Sequence, residues 1–296
     1  FITEDAVALT HVRRCGWLEA RRLGGWLFEQ IQAHDVPLLR DRVEGVTVAG
    51  NRVQTIHLRS GGQISTGAFV IAAGPYLKQV GALLGVDIPV FNELHGKAAF
   101  RDSLRIVPPE APLMIWNDPL CLPWTEAERR RLAASAETRW LLDEFPAGVH
   151  FRPRGDSDNP EVLIIWTYDT KVQEPLWPPT FDAHYPEVLL RGLARMIPGL
   201  SAYFGQGGQA YVDGGYYCKT RENRPLIGPL PIKGAYVIGA LSGFGIMGSQ
   251  AAGELLAAHV TGGDLPDYAS AFLLERYEDP AYRSLLEHWD ASSGQL

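Results

Sequence analysis

The sequence predicts an α/β (α+β) protein in which an antiparallel-sheet domain interrupts a second domain of strands and helices. Three observations carry this. Tyr236-Val-Ile-Gly-Ala-Leu-Ser-Gly-Phe-Gly-Ile-Met-Gly248 leads into Ser249-Gln-Ala-Ala-Gly-Glu-Leu-Leu-Ala-Ala-His-Val260, which reads as a buried strand, a glycine turn and a long helix of small residues. From Val90 the texture changes: Pro, Trp and charged residues become frequent and strands no longer alternate with helices. At Gly214 the chain returns to glycine-rich, apolar segments. Residues 1–88 and 214–296 are therefore expected to form one domain and residues 89–213 the other.

The elements follow in order. Residues 18–34 read as a helix with Leu23, Trp26, Leu27 and Ile31 along one face, ended by Asp35. Residues 36–40, 43–48 and 52–58 read as short strands, with turns at Gly50-Asn51 and Ser60-Gly61-Gly62. Residues 64–73 form one continuous apolar run, which predicts a strand in a sheet buried on both faces. Thr125-Glu126-Ala127-Glu128 is a capping box before a charged helix reaching about residue 145. Residues 162–168 are a strand, and Phe181-Asp182 opens a helix that ends before Pro198-Gly199.

Composition narrows the function. The 296 residues, 46% apolar and 21% charged, suffice for two ordinary globular domains. A net charge of −7 argues against a nucleic-acid partner. No apolar run is long enough for a membrane span. Cys15, Cys121 and Cys218 are widely spaced and odd in number, which fits a reducing, cytoplasmic setting rather than a disulfide framework. The eight His residues lack ligand spacing, so no metal site is expected.

Three blocks, in this order, carry a resemblance: Phe69-Val-Ile-Ala-Ala-Gly-Pro-Tyr76, Gly214-Gly-Tyr-Tyr-Cys-Lys-Thr-Arg-Glu-Asn-Arg-Pro-Leu-Ile-Gly228, and the 236–248 turn. They resemble the D-amino-acid oxidase and sarcosine oxidase-like (DAO) family of FAD-dependent amine oxidoreductases over nearly the whole chain. The resemblance implies a Rossmann-like FAD-binding domain built from residues 1–88 and 214–296, and a substrate domain at 89–213. It implies oxidation of the C–N bond of a small-molecule amine or amino acid by hydride transfer to flavin N5. Such chemistry is mainly positioning and needs no serine triad or carboxylate pair. The family opens with a strand, a GxGxxG turn and a helix for the FAD diphosphate, and no such opening segment stands in these residues: the one GxGxxG spacing, Gly243–Gly248, belongs to the turn near the other end. The chain therefore reads as a fragment, a cleaved product or a subunit that needs a missing N-terminal segment or a partner chain. The alternative is a non-catalytic fragment or subunit of a flavoprotein complex.

Site residues follow from the same resemblance. Backbone N–H groups around Gly243, Phe244, Gly245, Ile246 and Met247 are expected at the flavin's N1–C2=O end, where negative charge grows. Ala73 and Gly74 would pass close to the ribityl and diphosphate region, unless they only turn the strand end. Val43 matches the position whose backbone meets the adenine. Tyr216 and Tyr217 occupy positions lining the substrate side of the flavin. Gly215 stands where some relatives attach FAD through cysteine, so FAD is expected to be non-covalent. The usual carboxylate clamp is missing at Tyr217, Ile246 and Met247, leaving Arg152 as the substitute anion binder or a surface ion pair. Tyr168 is an active-site or plain amphipathic-strand residue, and His95 a site or structural histidine. The strand 163–166 lacks the lysine that oxidase relatives place over the flavin, which leans toward a dehydrogenase; Lys97 and Lys171 lie nearby in sequence.

Overall fold

The computed structural model describes residues 1–156, 158–205 and 209–289. The chain divides into two compact units. A middle unit holds Phe1–His11 and Glu93–Tyr216, and a flanking unit holds Val12–Asn92 and the chain from Tyr217 on. Phe1–His11 joins the middle unit locally: the Thr3 N–H donates to the Met196 carbonyl at 2.8 Å, and Asp5 pairs with Arg195.

The flanking unit begins with α1 (Ala20–Ala33), β1 (Val43–Ala49), β2 (Arg52–Leu58), β3 (Gln63–Ser65), β4 (Phe69–Ile71) and α2 (Leu77–Ala82). The apolar stripe of α1 is present, yet none of its residues is buried, and Trp26 is 56% exposed. Residues 36–40 form no strand. Pro37 has no N–H to give a ladder, and Val36, Leu38 and Leu39 are exposed. β1 and β2 form a hairpin whose Gly50 and Asn51 both take φ of 56°, the left-handed pair that a two-residue turn of matching twist requires. The 64–73 run is not one strand. Thr66 donates its hydroxyl to the Ala68 carbonyl and accepts the Ala68 N–H, a local turn that ends β3 and sends β4 to a different sheet. Nor is β4 buried on both faces: it sits at the edge of a three-stranded sheet, and Val70 is exposed.

The middle unit follows with β5 (Phe91–Arg101), β6 (Met114–Trp116), β7 (Leu120–Cys121), α3 (Glu126–Ala133), β8 (Glu144–Phe145), β9 (Val149–Gly155), β10 (Pro160–Ile165), α4 (Tyr185–Ala194) and β11 (Tyr211–Lys219). Its five-stranded sheet runs β11-β5-β10-β9-β6, and the β5–β10, β10–β9 and β9–β6 pairs are antiparallel. Ala98, Phe100, Phe151, Val162 and Ile164 form the core face against Val188, Leu189 and Leu193 of α4. A side chain at Gly192 would collide with the Trp166 ring, so glycine sets how near α4 lies. The Thr125 capping box forms, but α3 ends at Ala133, well short of residue 145. Ser135 accepts the Glu137 N–H and Thr138 donates to the Leu132 carbonyl, so side chains take over the bonds of the next turn. α4 starts at Tyr185 rather than Phe181, because Asp182 captures the His184 N–H just ahead of Pro186 in the first turn.

α4 is tied to α3 by Arg191. Its guanidinium is buried, 2.7 Å from both Glu128 and Glu187, and stacks 3.8 Å over Trp124. Arg191→Met is expected to cost about 3–5 kcal/mol, because it leaves two carboxylates without their shared cation. Burial pushes the Glu128 carboxyl up, but the Thr125 hydrogen bonds and Arg191 outweigh it and hold the group below its ordinary value. The stabilisation from Glu128 is thus full above the unfolded value and is lost as pH falls through the lower folded value. Urea midpoints across the acid range check this: the variant should fall throughout and show a shallower acid slope, while equal curves would refute it.

The flanking unit resumes with β12 (Leu226–Pro229), β13 (Ala235–Gly239), α5 (Gly245–Thr261) and α6 (Pro280–Glu287). β13 pairs antiparallel with β12 and parallel with β4, Val237 opposite Ile71. The buried Glu222 carboxylate gathers the C-terminal segment, accepting from Arg276 at 2.7 Å, Tyr277 at 2.8 Å and Tyr282 at 3.0 Å.

Candidate functional site

In the flanking unit, two turns leave adjacent parallel strands at the same end. Beyond Ile71 of β4 come Ala73 and Gly74, and beyond the paired Val237 of β13 comes the 240–245 turn. The carboxyl ends of parallel strands are where open α/β sheets bind ligands. Gly74 has φ of +54°, and an added Cβ would meet nothing within 4 Å. Ala240 and Ser242 both take φ of 53°. Such left-handed residues cost on the order of 1 kcal/mol each and persist where surrounding packing holds them, as at ligand-binding turns. Phe244 is the N-cap of α5, and no side chain caps the helix. The first amides of this 17-residue helix, at Gly245, Ile246 and Met247, therefore keep an electropositive end free of side-chain acceptors, with Ile246 and Met247 exposed. A Cβ at Gly245 would meet no atom within 4 Å, whereas one at Gly243 would lie 2.9 Å from the Tyr217 ring. Tyr217 thus stands against the turn. Burial pushes its hydroxyl above the ordinary tyrosine value, so it stays a neutral phenol. Val43 opens β1 and packs on the core that includes Ile71, Leu77 and Val237.

A second cavity in this unit, about 510 Å³, is lined by Arg52, Ala68, Gly234 and Tyr236. It lies at the amino ends of β4 and β13, away from the glycine turns.

In the middle unit, register sorts the expected residues by sheet face. Leu163 pairs with Arg152 and Ala99, and Ile165 with His150 and Lys97, so these side chains share one face. His95 falls on it too, two residues before Lys97. Lys97 pairs with Asp213 at 3.3 Å, while a Cβ at Gly214 would point at Phe181 on the other side, which puts Gly215 on the Lys97 face. His95 is held from both ends, by Glu93 at 3.3 Å and Thr167 at 2.8 Å. Arg152 donates to the Pro153 carbonyl. Lys97 lies on the strand beside the lysine-free 163–166 segment.

Tyr168 is on the opposite, core face. It lines a cavity of about 770 Å³ with Trp140, Phe145, Trp166, Phe181 and Tyr185. Sequence reading missed this cavity. The clustering of Trp166, Tyr168, Phe181 and Tyr185 along the sequence was its visible trace. Tyr216 is committed elsewhere: its hydroxyl accepts the Leu176 N–H at 2.9 Å and donates to the Leu176 carbonyl at 3.0 Å. Among the described residues, no three His, Cys, Asp or Glu side chains are grouped to hold a metal ion, and no helix is long and apolar enough to cross a membrane.

The family model "DAO: FAD dependent oxidoreductase" matches residues 3–259. Comparison with curated proteins gives no match. Among solved structures, the chain is similar to L-proline dehydrogenase from P. horikoshii, with 18% identity, a TM-score of 0.58, 81% of this chain and 55% of that chain covered. It is also similar to iminodiacetate oxidase from Chelativorans sp., with 18% identity, a TM-score of 0.58, and 86% and 57% covered. Glycine oxidase from Bacillus cereus matches at 15% identity and a TM-score of 0.52, with 79% and 52% covered. At these identities the likeness is one of fold, and the chain spans little more than half the length of the structures it matches.

Proposed function

The chain belongs to the DAO family of FAD-dependent oxidoreductases, and from that premise we propose that the protein oxidises the C–N bond of an amine or amino acid. The observation that carries this reading is the pair of glycine turns on adjacent parallel strands beside the uncapped start of α5. We assign the flanking unit to FAD and the middle unit to substrate. The room at Gly74 and Gly245 suits the close passage of a flat, anionic cofactor. When bound, FAD supplies the hydride acceptor for the carbon next to the amine nitrogen. The protein's part is electrostatic and steric. The amides of Gly245, Ile246 and Met247 face developing negative charge, Ala73 and Gly74 leave space for the backbone to approach, and Tyr217 offers a ring and a neutral hydroxyl at the turn. His95, Arg152 and Gly215 are assigned to the substrate-facing side of the middle sheet. Lys97 on the same face favours neither oxygen nor another acceptor by itself.

The 296 residues carry a GxGxxG spacing only at Gly243–Gly248, in the turn assigned above to the flavin ring, and binding of the FAD diphosphate is assigned to a segment outside them, on the same polypeptide or a partner. The three free cysteines support a cytoplasmic setting.

Non-covalent attachment is supported by Cys218. Burial pushes its thiol up to about 11, so it is protonated and a poor nucleophile at neutral pH. Acid or heat is therefore expected to release FAD intact from yellow protein, measured as flavin absorbance in the supernatant. Colour left on the denatured chain would overturn this and point to Cys218. A preparation supplied with its N-terminal segment that stays colourless with added FAD would sink the enzymatic reading in favour of a purely associative subunit.

A further inference from the structure

The 770 Å³ cavity of the middle unit is not used by the flavin reading. Its walls are rings. Trp140 and Tyr168 stack with centroids 6.2 Å apart, Phe145 meets Tyr168 edge-on at 5.4 Å, and Tyr185 lies 5.8 Å from Tyr168. Aromatic faces are electronegative and attract organic cations. The rim is acidic. Asp143, Glu144, Asp169 and Asp182 line it against one cation, Lys171, which Asp169 already holds at 3.0 Å. Among the described residues, no cation pairs with Asp143, Glu144 or Asp182. The rim field reaches the rings: the Tyr168 hydroxyl is raised first by burial and then by Asp182 and Asp169. Tyr185 is only 7% exposed, and its hydroxyl has no hydrogen-bond partner among the described residues. That hydroxyl lies over Gly96, another lining residue. A buried hydroxyl left unpaired costs free energy that a ligand's polar group would recover.

We propose that this cavity binds a bulky organic cation, a substituted ammonium whose charge sits among the rings of Trp140, Tyr168 and Tyr185 and whose polar end meets the Tyr185 hydroxyl. The volume is that of a small-molecule site. A metal cation is a poor fit, because the walls offer rings where it needs oxygen ligands. An anion is opposed by the rim. The proposal goes beyond the flavin chemistry and does not rest on it.

The test is calorimetric titration of the 296-residue chain, at low ionic strength, with choline and with its uncharged isostere dimethylbutanol, in which carbon replaces nitrogen. Choline should bind about tenfold tighter or more, a difference attributable to charge over aromatic faces. The double variant Asp143→Asn/Asp182→Asn should weaken choline by about threefold or more and leave dimethylbutanol unchanged. Trp140→Ala should abolish choline binding. Trp140 also packs on the core, so its loss is read beside the rim variant, whose substitutions are exposed. Equal affinity for the two probes, no saturable choline binding, or choline affinity unchanged in the rim variant would each overturn the proposal. Flavin is absent from every arm, so failure here and failure of the enzymatic reading are separate results.

Discussion

Gly245→Val is expected to abolish flavin binding while leaving the fold intact. Gly245 is the first residue of α5, with φ of −53° and ψ of −46°, conformations any residue adopts. The new side chain therefore does not strain the turn, and no protein atom lies within 4 Å of its Cβ. The structural cost is confined to helix propensity, where valine and glycine differ by well under about 1 kcal/mol. A cofactor seated on the α5 amides would meet the branched side chain directly. Flavin occupancy measured on protein with an unchanged far-UV spectrum and urea midpoint separates the two effects. Occupancy equal to wild type would mean that the open space at this helix start receives no cofactor. Gly243→Val is a poorer probe, because its Cβ would press on Tyr217 before any ligand is considered.

Sarcosine and glycine are expected to reduce the FAD-loaded protein slowly, with a rate per molar substrate about ten- to a hundredfold below that of a larger secondary amine without a carboxylate. The physical reason is the cost of about 1–3 kcal/mol or more for desolvating a carboxylate that finds no cation. Tyr217 is a neutral phenol against the glycine turn, and Ile246 and Met247 are apolar. Arg152 and Lys97 are cations on the polar face of the middle sheet, which also carries Arg101 and Arg154, and Lys97 is paired with Asp213 and Arg154 with Glu161. Anaerobic bleaching of the flavin measures the rates. Fast bleaching by sarcosine that disappears in Arg152→Ala would place a carboxylate clamp at Arg152 and overturn the expected preference. Fast bleaching unaffected by that substitution would put the carboxylate on a residue outside this set.

Features governed by neighbours in sequence were legible in the residues themselves. The Gly50-Asn51 hairpin turn, the Thr125 capping box and the strand–turn–helix at 235–261 each depend on interactions a few residues long, so residue type and spacing suffice to specify them. Expectation and structure part where short polar side chains offer the backbone another partner. Thr66 splits the 64–73 run, and Ser135 and Thr138 stop α3. Periodicity counts apolar positions and does not register these competing hydrogen bonds. The stripe of α1 was also legible, but whether a stripe is buried depends on what lies against it.

By itself, then, the sequence determined the local elements, the glycine turns and the family resemblance, because all three are carried by residues close together along the chain. The tertiary structure decided which of them meet. Only the parallel pairing of β13 with β4 puts Gly74 and the 240–245 turn at one end of one sheet. Only the register of β5, β9 and β10 puts His95 and Arg152 on one face and Tyr168 on the other, since a shift of one residue would exchange them. The hydrogen bond between His95 and Thr167 and the rings around Tyr168 join distant segments. Their meeting is set by burial of the shared core, a non-directional force that no short stretch of sequence encodes.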